Sequence, residues 1–399
     1  MPSPMGVTQN QVQNSQPNAP VNQNAQPNNA PVVVWPFDKA ASFHKEIGQT
    51  HTLAAAAWSG GVTDELDVPT YGWLSELVLT CIGSAGAKGS SSIVAPGEDS
   101  PWNLFSNINI TDVAGTSIQI TDGWSQYLAW LYGAYRRYRQ DQSIYGYTPV
   151  DGTALGGGGT GNFLMKYHFP FEFAVDGIGC LPNMDGSGKY RVNLVYAAPS
   201  KFYNGASQQP GTLPAIQTII ELKARANPNP QDKMGNPQAT QPPALGTLKY
   251  LKREVFTVNS GDNTIQLKNV GNTIRNHILT FRDANGSRSG AESSGVVPST
   301  IQMDWDAGIR YKTRVDTLRQ EMFENFGFDA PNGVIVFSNH GNASYGPNGN
   351  EYGNHWIQTV GSTLLQFEFT ASAAGTLEVL TEYIVIASNE AYTAAQAGL

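Results

Sequence analysis

The feature that most constrains this chain is that its central motif is written twice. The stretch Leu66–Cys81, LDVPTYGWLSELVLTC, returns as Leu267–Phe281, LKNVGNTIRNHILTF. In both, alternating apolar residues (Leu66 and Val68; Ile265 and Leu267) run into a glycine, a polar pair and an apolar run that closes on Leu-Thr. Setting Gly72 on Gly271 with one inserted residue aligns Leu74 with Ile274, Ser75-Glu76 with Arg275-Asn276, and Leu79-Thr80 with Leu279-Thr280. Self-similarity over such a distance points to duplication of a whole unit, since solenoid repeats are far shorter.

Other landmarks recur in the same order. Ile108–Ile110 and Ile118–Ile120 flank Ala114-Gly115 as a hairpin does, and Ile301–Met303 leads to Ala307-Gly308. A helix-period segment follows each, Asp122–Arg139 and Thr313–Phe326. Alternating runs come next, and Gly-Thr-Leu (211–213 and 375–377) precedes a last β-rich run, to Ala226 in one half and Ile386 in the other. With 399 residues the chain exceeds the roughly 250–300 at which one core stops growing. Two homologous domains are therefore expected.

Composition narrows the class. The chain has 42 glycines, 24 prolines and only 14% charged residues, which favours a turn-rich β protein. Its formal net charge of −8 disfavours phosphate-backbone binding by the whole surface. Cys81 and Cys180 stand in apolar strand contexts without metal-ligand spacing, so two buried free thiols are expected. The start lacks a basic n-region and apolar core, and no apolar run approaches the ~20 residues of a membrane span; a soluble protein is expected.

Residues 1–34 carry no charged side chain and are rich in Asn, Gln, Pro and Ala, which predicts a disordered arm. The first structure is expected near Trp35-Pro36-Phe37, with Phe43–Leu53 the opening strand region and Tyr250–Val258 its counterpart. The domain boundaries read 38–227 and 246–390, with a linker at 228–245 and a tail at 391–399. Asn227–Leu245 holds five prolines and little apolar content.

Two stripes define the helices. Trp124, Tyr127, Leu128, Leu131 and Tyr135 fall on one face and are expected in the core, with Arg136, Arg137 and Arg139 suiting the C-terminal end of the dipole. The second helix starts with a capping-box-like Thr313–Asp316, aligns Val315, Leu318, Met322 and Phe326, and stops at Gly327. Met165, Tyr167, Phe169, Phe171 and Phe173 alternate strictly, as do Tyr190, Val192, Leu194 and Tyr196, and Leu365, Phe367 and Phe369. Such a period of two describes half-buried strands packed on a second sheet, and Pro170 puts its strand at an edge or bulge.

No motif for catalysis stands out. GSAGAKGS (83–90) has Lys88 before Gly89, the wrong order for a phosphate loop, and Gly156–Gly159 reads as a hinge. The six histidines, His44, His51, His168, His277, His340 and His355, lack metal-site spacing; His340 and His355 flank Glu351 in a Gly/Asn-rich loop. Asp304-Trp305-Asp306 lacks the ligand series of a calcium loop and reads as a strand end. Glu172 with Asp176, or Glu368 with Glu382, are expected on solvent faces of alternating strands. The expected catalytic, cofactor and metal residues are therefore none.

Two consecutive β-sandwiches, each with a short helix in an equivalent loop, a Pro-rich crossover and a flexible arm resemble the double jelly-roll major capsid proteins of tailless icosahedral bacteriophages and related viruses. Ser100–Ile120, SPWNLFSNINITDVAGTSIQI, and Tyr167–Phe173, YHFPFEF, carry the local likeness. The resemblance spans residues 38–390. It implies an all-β chain of two jelly rolls, no enzyme activity or cofactor, homotrimers of pseudo-hexagonal outline, and trimer–trimer contacts in a virion shell assembled in the host cytoplasm. Penton and minor capsid proteins and an underlying membrane stay open as further partners; sequence-specific nucleic acid is not implied. The uncharged arm departs from basic genome-binding arms. A hydrolytic or glycan-binding two-domain jelly roll is the alternative: the first predicts an acid cluster at the domain interface, the second exposed aromatics such as Trp102 and Tyr345.

Overall fold

The computed structural model describes residues 43–385 except 91–92, 134–146, 154–157, 173–177, 185–187, 227–230, 232–233, 236–247, 269, 290–294, 307 and 340–355. The arm at 1–34, Trp35–Phe37, the basic cluster at Arg136–Arg139, most of the linker and the tail lie outside the described residues. So do Asp176, His340, Tyr345, Glu351 and His355.

The first half runs β1 (Phe43–Leu53), β2 (Thr63–Asp67), β3 (Trp73–Ser84), β4 (Phe105–Thr111), β5 (Ser117–Thr121), α1 (Gly123–Tyr132), β6 (Phe163–Pro170), β7 (Leu181–Pro182), β8 (Arg191–Tyr196), α2 (Pro199–Phe202) and β9 (Ala215–Arg225). The second runs β10 (Leu248–Val258), β11 (Gly261–Gln266), β12 (Thr273–Asp283), β13 (Thr300–Trp305), β14 (Gly308–Arg314), α3 (Val315–Phe326), β15 (Val334–Ser338), β16 (Ile357–Gln358), β17 (Leu365–Ala371) and β18 (Gly375–Val385).

Each half folds into two antiparallel sheets. The first pairs β1-β9-β3-β6 with β7 on β3, and β2-β8-β4-β5; the second pairs β10-β18-β12-β15 with β16 on β12, and β11-β17-β13-β14. Every strand of one half has its counterpart at the same place in the other. This is the order of an eight-stranded jelly roll, made twice, with a helix between the fifth and sixth principal strands each time. The chain is an all-β double jelly roll.

The duplicated motif forms β3 and β12, each lying between two neighbours in its sheet. Register shifts between Leu74 and Glu76 and between Ile274 and Asn276 place a bulge at Ser75 and at Arg275, so the alignment of these residues holds. The glycine alignment is off by one. Asn183 donates its N–H to the Gly72 carbonyl and Thr359 donates to that of Asn272, so Asn272 stands where Gly72 stands. Gly72 has φ +48°, and a Cβ there would collide with the Arg225 carbonyl. The Gly-Thr-Leu pair is displaced more: Ser84 faces Ala215 while Asp283 faces Gly375, so 211–213 precedes its strand and 375–377 begins one.

Of the expected aromatic alternation, Met165, Tyr167, Phe169 and Phe171 pack inward, and Phe173 lies outside the described residues. Phe163, Met165, Tyr167 and Phe169 are buried, and β6 is a sheet edge, which accommodates Pro170 at its end. Tyr190, Val192, Leu194 and Tyr196 fill the first roll; Leu365, Phe367 and Phe369 fill the second. Cys81 and Cys180 are buried free thiols, and burial raises both well above the ordinary thiol range. Asp304 and Trp305 end β13, and Asp306 turns the chain by accepting from Thr363 and Leu364 N–H groups.

Among the described residues, no helix is long and apolar enough to cross a membrane.

Candidate functional site

The most built part of the molecule is the junction between the rolls, and α1 lies at its centre. Asp122 caps the helix by accepting from the Ser125 N–H at 2.7 Å. All ten helical residues are buried, far more than one amphipathic stripe requires. Gly123, Gln126 and Trp130 face the first roll: Gln126 donates to the His168 carbonyl, and the Trp130 ring stacks on His168 at 4.5 Å. Of the expected stripe, Trp124, Tyr127, Leu128 and Leu131 are buried, and Tyr135 lies outside the described residues. Trp124 carries the Arg288 guanidinium 4.8 Å above its ring, and Tyr132 packs edge-on against Phe326.

The outer face of the second roll supplies the other half of this environment. Leu251, Ile278, Val336 and Leu380 belong to the same apolar cluster as Leu128 and Leu131, so two rolls share one core through α1. Burying such a side chain contributes roughly 1.5–3 kcal/mol.

Charge completes the joint. Arg275 sits on the β12 bulge, fully buried, and donates from Nη2 to the Gly133 carbonyl at the end of α1 and from Nη1 to Glu382 at 2.7 Å. Asn276 also donates to Glu382, and Lys249 lies 3.4 Å from it. Further out, Arg253 meets Asp122 at 3.1 Å and Glu378 at 2.8 Å, while Arg282 meets Asp99 and Glu378. Arg288 binds Asp99, and its N–H donates to Glu98. Burial raises the Asp122 carboxyl above its ordinary range, with Arg253 opposing the shift.

The expectation that Glu172 and Glu382 face solvent is overturned. Glu172 is buried against Arg225 and accepts from Ser75 Oγ at 2.9 Å; Glu382 is buried in the junction. Outward-facing positions are solvent positions only where nothing covers them: the end of α1 and Arg275 cover Glu382, while Ser75, Cys180 and Arg225 enclose Glu172. The equivalent bulge residues Ser75 and Arg275 thus each reach a buried glutamate. Glu368 remains partly exposed on the opposite sheet and takes hydrogen bonds from Gln302 and Gln366.

Trp102 is not an exposed ligand platform. It is 3% exposed, stacked on Tyr127 at 4.2 Å. The capping box at Thr313 does not form either: Thr313 is the penultimate residue of β14, Arg314 occupies the cap position, and its side chain pairs with Asp316. Gly327 does end α3 at φ +75°, its N–H bonding to the Phe323 carbonyl.

The acids of the junction are taken up by arginine and lysine. Among the described residues no group of three or more His, Cys, Asp and Glu is placed to hold a metal ion. An open groove of about 560 Å³ lies between the rolls, lined by Gln119, Ile120 and Asp122 on one side and Tyr250, Arg253 and Tyr383 on the other.

No protein-family model matches the sequence, and no curated protein matches it. The fold does have solved counterparts. A chain of the atomic structure of Sulfolobus Turreted Icosahedral Virus superimposes with TM-score 0.60 at 11% identity, over 90% of this chain and 94% of that one. A chain of the PBCV-1 virus capsid gives 0.58 at 12% identity, over 87% and 95%. The Faustovirus major capsid protein gives 0.52 at 9% identity, over 89% and 92%. The chain therefore has the double jelly-roll fold found in major capsid proteins of icosahedral viruses.

Proposed function

We propose that this chain is a structural protein, the major capsid protein of an icosahedral virus, acting as a homotrimer that tiles the virion shell. The observation that carries the reading is the junction. Two jelly rolls of the capsid type are locked by a shared buried helix and its arginine network, which gives a subunit with a fixed pair of similar lateral faces. Such a body is suited to repeated self-contact and has no need of a catalytic, cofactor or metal site.

Within this reading the functional units are an assembly arm (1–34), two rolls (38–227 and 246–390), a linker (228–245) and a tail (391–399). The arm's amides and prolines suit an extended segment that orders against neighbouring subunits. A tailless bacteriophage is the class of virus, the host cytoplasm the site of assembly, and penton and minor capsid proteins the further contacts.

Sedimentation of the purified chain tests the core of the proposal. A stable trimer, forming closed shells visible by electron microscopy on concentration, is the expected result. A monomer at micromolar concentration overturns it.

A further inference from the structure

The groove between the rolls is bordered by two sheet edges. β5 ends the order β2-β8-β4-β5 and β10 begins the order β10-β18-β12-β15; among the described residues neither pairs with a second neighbour. Such edges present backbone N–H and C=O groups that need cover. The walls are also partly apolar. Ile120 is 53% exposed, and Ile118, on the same face of β5, is half-buried. Opposite them Tyr250 and Tyr383 stack at 5.5 Å, both half-buried, and Lys252 adds a cation on that side. Arg253 and Asp122 close the floor at 3.1 Å, so an occupant lies along the groove rather than between the strands.

The segment best placed to fill it is the chain's own continuation. β18 ends at Val385, which pairs with Leu248 at the start of β10 and is 40% exposed. Tyr383, two residues earlier, already stands in the groove wall. Residues 386–399, which include the expected tail, follow directly. At roughly 3.3 Å per extended residue, a few of them suffice to pass the end of β10 and the rest span the groove. Their chemistry matches it. The single charged side chain is Glu390, opposite in sign to Lys252, while Tyr392 and five alanines supply small and aromatic apolar groups. The uncharged arm is worse placed: it leads into β1, at the sheet edge opposite β6, whereas α1 and the groove lie on the β6 side.

We infer that residues 386–399 lie in this groove as a strap across both rolls, with Glu390 toward Lys252 and Tyr392 against Ile120 and the tyrosine pair. Backbone hydrogen bonds to the open edges give the contact its strength, as in other strand-addition sites, and the side chains fix its register. The strap ties β5 to β10 from outside and supplements the buried joint. It concerns one chain, so it stands or falls independently of the capsid reading.

Hydrogen exchange on the full chain and on a variant lacking residues 388–399 tests it. Removing the segment should speed amide exchange about tenfold or more at 117–120 and 250–252 and leave the rest of both rolls unchanged. Ile120→Glu sets an acid against Glu390 at an exposed position, so it should reproduce the effect at 250–252 with an unchanged melting temperature. Unchanged exchange in both variants would overturn the inference. A third variant, lacking residues 1–34, should keep the groove protected; if it alone exposes these amides, the arm is the occupant and the strap is wrong. Cysteine pairing then identifies whose segment is bound. Both native cysteines are buried, so the background is low. Mild oxidation of the dilute Ile120→Cys, Tyr392→Cys double variant should give a disulfide within one chain. Linked dimers in its place would mean that a second copy fills the groove, and no link would take Tyr392 out of it; either result refutes the placement.

Discussion

Arg275, in the second roll, donates from Nη2 to the carbonyl of Gly133, the residue that ends helix α1 of the first, at 2.8 Å. A helix end buried away from water leaves carbonyls that need donors, and a cation there also meets the negative end of the helix dipole. The cation comes from 142 residues along the chain. One side chain thus satisfies a secondary-structure requirement of one domain from the sheet of the other, which makes the two rolls a single body.

Arg275→Ala should show what this contact contributes. It leaves Glu382 buried with Lys249 and Asn276 as remaining partners, so the loss should fall near the low end of the roughly 3–5 kcal/mol typical of breaking a buried pair. Denaturant unfolding measures it. A change below about 1 kcal/mol would mean that the joint does not depend on this residue.

Trp124→Ala should cost about 3–5 kcal/mol, because it empties a buried site and removes the surface on which Arg288 rests. The same truncation at Phe323, at an exposed position of α3, should stay within about 0.5 kcal/mol in the isolated chain. Thermal melts of the two variants side by side test the asymmetry between the helices. Equal losses would contradict it.

What the sequence made legible was the part governed by period. Alternating aromatics such as Met165, Tyr167 and Phe169 declare an inward face, and the two copies of the β3 and β12 motif declare the duplication. What period could not tell was which outer faces are covered. Glu382 and Glu172 were read as solvent acids because alternation says only that they point away from their own core. A signal for Glu382 was present: Arg275-Asn276-His277 is a polar triplet inside an otherwise apolar central strand, and all three residues are buried. Such a triplet needs buried partners: Glu382, one strand away and in register with Asn276, serves Arg275 and Asn276, and Thr381 beside it serves His277. Trp102 and the Thr313 capping pattern misled for a different reason. Local spacing fixed neither the ring stacked on Trp102 nor the extra strand residues that carry Thr313 away from the helix.

Glu172→Gln should destabilise the first roll by leaving the Arg225 guanidinium with a neutral partner in a site closed to water. The amide retains the shape and loses the charge, so a few kcal/mol is expected, on the order of a broken buried pair. Glu172→Gln combined with Arg225→Met should recover part of the loss if the pair, rather than either residue, is what the site requires. A double-mutant cycle in urea measures the coupling, and strict additivity would refute it.

Acid should unfold the protein in two identifiable windows. His277 is fully buried in the second roll beneath Phe367, with Nδ1 3.2 Å from Thr381 Oγ1, and burial lowers its pKa to about 3. Its folded value lies below its unfolded one, so the unfolded chain takes up the proton first. Stability is full above about pH 6.5 and falls toward pH 3 by at most about 1.4 kcal/mol per unit from this one group. Glu76 acts lower down. Burial alone would raise its pKa, but the His168 hydrogen bond and charge and the Lys223 ammonium outweigh it and hold the carboxyl below its ordinary value of 4.5. Its contribution is present above that value and is lost as pH falls through the depressed one. His277→Gln should therefore flatten the decline between about pH 6 and 4.5 while leaving the steeper acid loss in place. Urea midpoints of wild type and variant at pH 7.5, 5.5 and 4.5 make the comparison. Parallel curves over that interval would show that His277 is not the group that titrates.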